Sequence, residues 1–262
     1  MKTISLAQTH RGVVRIHNED AFLEMPESGI WVVADGMGGH EAGDIASQLV
    51  IDTIERAVAR TPLSQMNCSV IISAIEQSNA KLQHMRNTRF SGNITGSTVV
   101  VLWISGDCYH YFWAGDSRGY LLRNNQLIQV TKDHSQVNDM VDEGIISAAQ
   151  AESHPLANVI TRAVGVDTTI DVDVVSNTIN CGDVFLLCSD GLNKEVNDKE
   201  IEATLLSGNV IDACMALMHA SLVRNARDNV TCILIKNQHS ANSKISYNED
   251  KTIPLIKIHT KK

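Results

Sequence analysis

Several features that mark other classes of protein are scarce in this 262-residue sequence. Aromatic residues make up only 4%, so stacking on bases or sugars is not a theme of its chemistry. The net charge is −8 and no cluster of Lys and Arg occurs. Because phosphate contacts dominate nucleic-acid binding, we expect no nucleic-acid partner. An acidic balance suits a protein that uses carboxylates to hold cations.

Long apolar runs are also missing. No segment approaches the roughly 20 apolar residues that a membrane-spanning helix needs. Residues 1–8 lack the apolar stretch of a signal peptide. We therefore expect a cytoplasmic protein that has no contact with a membrane.

The cysteines do not form a C-x-x-C pair, and most of them lie inside apolar runs. This pattern predicts six reduced, buried thiols rather than disulfides or a metal site. They are Cys68, Cys108, Cys181, Cys188, Cys214 and Cys232.

The composition is that of a folded chain, with 44% hydrophobic and 20% charged residues and only four prolines. No internal repeat or low-complexity linker divides it. We predict one domain over residues 1–237, followed by a polar and then basic tail over residues 238–262.

Apolar patterning predicts both strands and helices. Segments rich in β-branched and aromatic residues predict strands over 30–34, 97–104, 108–114, 184–188 and 230–235. Apolar faces with helical spacing occur within 46–57, 71–85 and 210–221. The turns at 105–107 and 124–125 are typical of hairpins. Hairpins without regular βαβ alternation favour an α+β protein with antiparallel sheets.

Acidic residues stand where predicted strands end, each beside a glycine or another acid. One Asp-Gly is an ordinary turn dipeptide, but a carboxylate at the mouth of an apolar strand is costly to desolvate without a partner. Five such groups indicate carboxylates that converge on hard cations such as Mg²⁺ or Mn²⁺. The groups are RIHNED (15–20), ADGMGGH (34–40), AGDSR (114–118), CSDGL (188–192) and RDN (227–229).

In this order and at these separations, the five groups resemble the motifs of the metal-dependent protein phosphatase family, type 2C, in its bacterial form. The resemblance covers residues 9–236. It implies an α+β fold, a four-layer αββα sandwich of two antiparallel β-sheets flanked by helix pairs. It also implies metal-dependent hydrolysis of phosphoserine and phosphothreonine in proteins, by a metal-bridged water that attacks the phosphate.

The resemblance assigns metal ligands residue by residue. Asp35 would bridge two tightly bound Mn²⁺ or Mg²⁺ ions. Asp190 and Asp228 would complete the protein ligands of one ion. Glu19 and the backbone carbonyl of Gly36 would hold the other, partly through water.

Three further side chains receive roles in the same way. Asp20 would position a metal-bound water, Arg15 would bind the substrate phosphate, and Asp116 would bind a third, weaker ion. From the residues alone, Arg15 can instead form a surface ion pair with Glu19, and Asp116 can merely cap a turn. The polar segment 133–156 would form a flap beside the site.

The histidines do not supply an evident general acid. His40 suits a structural role at a helix start better than a catalytic one, and His17 and His134 suit structural or supporting roles. The position after Asp-Gly, which is a histidine in many eukaryotic members, is Met37. A thioether cannot donate a proton, so we expect a metal-bound water near Asp20 or Asp116 to protonate the leaving group.

The expected partners are phosphorylated proteins, including a bacterial serine/threonine kinase or its targets, with the enzyme itself a monomer that opposes that kinase. Two other functions remain open: a catalytically dead relative that acts as a binding module, and a hydrolase of small phosphoesters such as nucleotides or sugar phosphates. Asp35, Asp190 and Asp228 are all present, which argues against the dead relative.

Overall fold

The computed structural model describes residues 3–38, 42–89, 94–151 and 154–238. His40 and nearly all of the predicted tail lie outside these residues.

Eleven strands and seven α-helices form within the described residues. The strands are β1 (Thr3–His10), β2 (Asp20–Met25), β3 (Ile30–Gly38), β4 (Thr95–Ser97), β5 (Val99–Ser105), β6 (Cys108–Ala114), β7 (Arg118–Arg123), β8 (Gln126–Gln129), β9 (Asp173–Thr178), β10 (Val184–Cys188) and β11 (Val230–Asn237). The helices are α1 (Ala42–Arg60), α2 (Cys68–Thr88), α3 (Gln136–Asp142), α4 (Ala148–Ala151), α5 (Asp190–Asn193), α6 (Asp198–Ser207) and α7 (Val210–Val223). None of these helices has both the length and the apolarity to cross a membrane.

The strands pair into two sheets, and every pairing is antiparallel. One sheet has the order β1-β11-β10-β7-β8, and the other has the order β2-β3-β5-β6-β9, with β4 beside β3. The predicted α+β class with antiparallel sheets is confirmed.

A shared apolar cluster joins the two sheets face to face. Trp31 and Tyr111 come from the second sheet, and Phe185 and Ile233 come from the first. All four side chains are fully buried. Since burying one such side chain contributes about 1.5–3 kcal/mol, this cluster is a major source of stability.

Helices cover the outer face of each sheet. Ile54 of α1 and Ile75 of α2 share a cluster with Val101 of the second sheet. Leu217 of α7 shares another cluster with Leu186 of the first sheet. The order through the molecule is therefore helices, sheet, sheet, helices.

The predicted elements agree well with those observed. The strands at 108–114 and 184–188 have the predicted bounds, and the three predicted helical faces lie on α1, α2 and α7. Thr98 divides the predicted strand 97–104 into β4 and β5. The turn between β7 and β8 is confirmed as a tight hairpin, because Asn124 and Asn125 have φ values of 52° and 63°, as a two-residue type I′ turn requires.

The prediction of six buried thiols is wrong in part. All six cysteines are free, but Cys181 is exposed and Cys68 and Cys108 are half-buried. Cys181 lies in the turn that precedes β10. The apolar run that follows it in the sequence forms β10, and Cys181 is not part of that buried strand.

Candidate active site

Asp20 and Asp35 face each other across the β2–β3 ladder, where they are register partners. The Asp35 N–H donates to Thr98 Oγ1 at 3.0 Å, and the Thr98 N–H donates to the Asp35 carbonyl at 2.8 Å. The break between β4 and β5 at Thr98 thus fixes the backbone that carries Asp35.

The acids at the strand ends converge around Asp35. Burial raises its pKa well above the usual range, and the negative charges of Asp20, Asp190, Asp116 and Asp228 raise it further. Like charges act this strongly only at short range in a poorly solvated place. Acids from both sheets therefore meet in one cluster, as the sequence predicts, although β3 continues past Asp35 to Gly38.

Asp20 is held by one carboxylate oxygen and leaves the other free. Ser189 Oγ and Thr231 Oγ1 both donate to Asp20 Oδ2, at 2.8 and 2.7 Å. Burial raises the pKa of Asp20 to about 7, against the opposing effect of these two hydrogen bonds. Asp20 Oδ1 is buried without a hydrogen-bond partner.

Asp116 and Asp190 each also carry a buried Oδ1 without a partner. Asp116 lies in the turn between β6 and β7, and burial, with the charges of Asp190 and Asp133, raises its pKa to about 7. Asp190 begins α5 directly after β10, and its Oδ2 pairs with the ammonium of Lys194.

Glycines let the chain close tightly around Glu19. The Gly36 N–H donates to the Glu19 carbonyl at 3.0 Å, and Ser47 Oγ donates to the same oxygen at 2.6 Å. A Cβ on Gly36 would collide with the Gly43 carbonyl, and one on Gly43 would collide with the Glu19 carboxylate. Burial raises the pKa of Glu19.

Arg15 lies at the edge of the cluster and pairs with Asp228 at 2.9 Å. The predicted alternative of an ion pair with Glu19 is wrong, because Asp228 is the acidic partner of Arg15 among the described residues. Asn229 fixes the loop that carries Arg15: its Nδ2 donates to the carbonyls of Arg11 and His17, at 3.0 and 2.9 Å.

The donor set suits hard divalent cations. It contains only oxygen, and the three unpartnered buried carboxylate oxygens need a cation or a donor to offset their desolvation. No group of three or more His, Cys, Asp or Glu side chains in the described ranges is arranged to hold an ion by itself. Mg²⁺ and Mn²⁺ keep several waters as ligands, so such an ion does not require a closed protein cage.

A cavity of about 1050 Å³ opens from Asp116 and Asp190. Val137 of α3 and Ala148 of α4 line one side of it, so the predicted flap segment does lie beside the site. The buried ring of His134 anchors the base of the flap, because its Nδ1 accepts the N–H of Gly115 at 3.1 Å.

Sequence reasoning missed several residues that position the acids. Ser189, Thr231, Thr98 and Asn229 stand next to or within the motifs, but nothing in their spacing reveals which acid each one contacts. Lys194 does carry a signal, since it follows Asp190 by four residues, the spacing of ion pairs on a helix.

Comparison with known proteins supports this geometry. The sequence profile of the family described as Protein phosphatase 2C matches residues 8–226. The serine/threonine phosphatase stp of Listeria welshimeri is 33% identical over 236 residues, which cover 87% of this chain and 94% of the relative. The serine/threonine protein phosphatase PstP of Mycobacterium tuberculosis is 33% identical over 228 residues, 87% of this chain and 44% of the relative.

Solved structures share the fold as well. PppA, described as a key regulatory component of T6SS in Pseudomonas aeruginosa, matches with a TM-score of 0.81 and 38% identity, over 90% of this chain and 98% of that one. The catalytic domain of the phosphatase PstP in complex with two manganese ions matches with a TM-score of 0.80 and 31% identity, over 89% and 97%. The chain belongs to the protein phosphatase 2C family.

Proposed function

We propose that this protein is a metal-dependent phosphatase that removes phosphate from phosphoserine and phosphothreonine in other proteins. The observation that carries the proposal is the convergence on Asp35 of acids from four other segments, Asp20, Asp116, Asp190 and Asp228. Relatives named serine/threonine phosphatases, at 33% identity over most of the chain, support the same reaction.

Two Mn²⁺ or Mg²⁺ ions are the proposed cofactors. Asp35, Asp190 and Asp228 would hold one, and Asp35, Glu19 and the Gly36 carbonyl would hold the other. The relative's structure in complex with two manganese ions supports this number. Bound in this way, such ions neutralise phosphate charge and make water a stronger nucleophile at neutral pH.

The chain's own residues position the reactants. Arg15 presents a planar guanidinium that can hold two phosphate oxygens, and its ion pair with Asp228 keeps it at the edge of the cluster. Asp20 keeps Oδ1 free while Ser189 and Thr231 fix Oδ2, so Oδ1 can accept a hydrogen bond from a water molecule and position it. The cavity beside the flap gives a peptide chain room to lie across the site.

The physiological partners in this proposal are a serine/threonine kinase or the proteins that it phosphorylates. Proteins fit better than nucleic acids because the chain carries a net charge of −8, which disfavours contact with a polyphosphate backbone. A phosphoproteome comparison with and without this protein would test the assignment. Without this protein, phosphorylation should rise at the serine and threonine sites that one kinase modifies. An unchanged phosphoproteome would contradict the proposed partners.

A substrate panel separates this function from its two alternatives. Phosphate release would be measured on a phosphothreonine peptide, a nucleotide monophosphate and a sugar phosphate at equal concentration. We expect the highest kcat/KM on the peptide. Preference for a small ester would support the second hydrolase class, and no release from any substrate, with Mn²⁺ bound, would support a dead binding module.

A further inference from the structure

Lys194 places an ammonium group inside the acidic cluster. It follows the last residue of the one-turn helix α5 and pairs with Oδ2 of Asp190, four residues earlier. The Asp190 side chain is only 12% exposed and the Lys194 side chain is 37% exposed. Ordinary surface pairs at this spacing are solvated at both ends and contribute little, so this pair stands in a different environment.

The charge of Lys194 acts on more than its direct partner. Burial lowers the pKa of Lys194, but Asp190, Asp116 and Asp228 outweigh this effect and the pKa is raised. The same ammonium is the neighbour that lowers the pKa of Asp116, against burial and the charge of Asp190. Lys194, Asp116 and Asp190 line the same cavity, so the ammonium paired with Asp190 lies where it can act on both carboxylates.

A third divalent ion bound between Asp116 and Asp190 would use the same two carboxylates. Asp116 and Asp190 are both at least nine-tenths buried, and each has one oxygen without a partner. An ammonium close to these carboxylates repels a divalent cation, and the repulsion is strong where water screens poorly. The Lys194 ammonium and a third divalent ion would therefore compete for the same position beside Asp116 and Asp190.

We propose that Lys194 is a built-in cation that takes the place of a third metal ion at the Asp116–Asp190 edge, so that this chain works with two ions. The inference rests on the proposed function, since it concerns the composition of the same metal centre. It departs from the expectation, drawn from resemblance, that Asp116 binds a third, weaker ion.

Counting bound Mn²⁺ tests this directly. Free Mn²⁺ would be measured by electron paramagnetic resonance during titration of wild type, Lys194→Gln, Lys194→Arg and the control Lys199→Gln. Lys199 lines the same cavity, and no hydrogen bond or ion pair of its side chain occurs among the described residues. The control therefore removes the same charge without touching the Asp116–Asp190 edge. Circular dichroism would check that each variant is folded.

We expect two bound ions in wild type, Lys194→Arg and Lys199→Gln. Lys194→Gln should bind a third, with affinity raised about tenfold or more by loss of the ammonium. The double variant Lys194→Gln with Asp116→Ala should return to two, which shows that the gained ion uses Asp116.

Two ions in Lys194→Gln, with unchanged affinities, would overturn the inference and reduce Lys194 to a packing residue. Three ions in wild type would overturn it as well, while leaving the proposed function intact. Wild type that binds no Mn²⁺ at all would overturn the proposed function, and this inference with it.

Discussion

Four carboxylates form the floor of the site (Asp20, Asp35, Asp116 and Asp190), whereas Arg15 and Asp228 form its rim. Asp20, Asp116 and Asp190 of the floor are at most 9% exposed. On the rim, the side chain of Arg15 is 50% exposed and that of Asp228 is 31% exposed. The floor groups repel one another, and burial with this repulsion raises their pKa values. The rim pair neutralises itself and is screened by water.

The floor is therefore the part of the fold that loses stability for the sake of function. Crowded buried acids destabilise a metal-free chain, since each one is costly to ionise there. A solvated pair costs little and contributes little. Changes in the floor should therefore alter both activity and stability, and a change at Arg15 on the rim should alter substrate capture alone.

The largest effect is expected from Asp35→Asn. The change removes a central negative charge, that of the proposed metal ligand, and keeps the side-chain volume. Turnover should therefore fall by about 10²-fold or more, since loss of even a ligand's supporting partner costs ~10–100-fold. The metal-free variant should melt at a higher temperature than metal-free wild type, because repulsion is relieved. Turnover and calorimetric melting would both be measured.

Asp52→Asn provides the matched control, because Asp52 is a partly exposed acid on α1 with its own arginine partner. Its turnover and melting temperature should stay close to wild type. Near-normal turnover in Asp35→Asn would show that Asp35 does not belong to the reacting centre.

The buried acids of the floor should also make the unfolding free energy of the metal-free protein fall as pH rises. The folded-state pKa values of Asp20 and Asp116 are about 7, against an ordinary 3.8, so the folded chain holds protons that the unfolded chain has released between pH ~4 and ~7. Each group then lowers the unfolding free energy by about 1.4 kcal/mol per pH unit in that window.

Urea unfolding of metal-free protein at pH 5 and pH 7 would measure this slope. Asp116→Asn removes one of the two groups, so the wild-type slope should be steeper than that of the variant. Identical slopes would contradict the raised pKa of Asp116 in the metal-free protein.

At the rim, Arg15→Ala should weaken phosphate capture while Mn²⁺ affinity stays the same. A bidentate contact of this kind contributes about 1.5–3 kcal/mol, roughly tenfold to a hundredfold in kcat/KM. Inhibition by inorganic phosphate should weaken in parallel. Arg56→Ala on α1 removes a comparable exposed ion pair and serves as the control. An unchanged phosphate inhibition constant would assign Arg15 to a purely structural ion pair.

The smallest effect is expected from Met37→Ala. Met37 is half-buried beside Gly96 and has no proton to donate. Turnover of both an aryl phosphate and a phosphopeptide should stay within about threefold of wild type, far below the ~10²–10⁴-fold that a general acid contributes. A selective hundredfold loss on the phosphopeptide would mean that Met37 positions the true donor.

The sequence predicts the floor better than the rim, for a physical reason. Asp190 follows a strand that is buried along its whole length, and Asp35 ends the buried run of β3. Such apolar runs are visible without any tertiary information, and an acid that directly follows one is conspicuous even where the strand itself continues, as β3 does to Gly38. The prediction that these acids converge is supported by the charges that act on Asp35.

The rim depends on contacts that no local pattern contains. Arg15 pairs with Asp228 across almost the whole chain rather than with nearby Glu19, because Asn229 folds the first loop onto the start of β11. The sequence pattern also fails to predict β9 and α6, which are only partly buried. Buried and exposed residues alternate weakly along β9, and the clearest sequence signal of α6 is the capping box formed by Asn197 and Glu200.

A Mn²⁺ titration with activity followed in the same sample would show whether phosphate release depends on two bound metal ions. Protein freed of metal by chelation would receive Mn²⁺ stepwise while phosphate release from a phosphothreonine peptide is recorded. The account predicts no release from metal-free protein and a rise that saturates when two ions per chain are bound. Full activity in verified metal-free protein would contradict it.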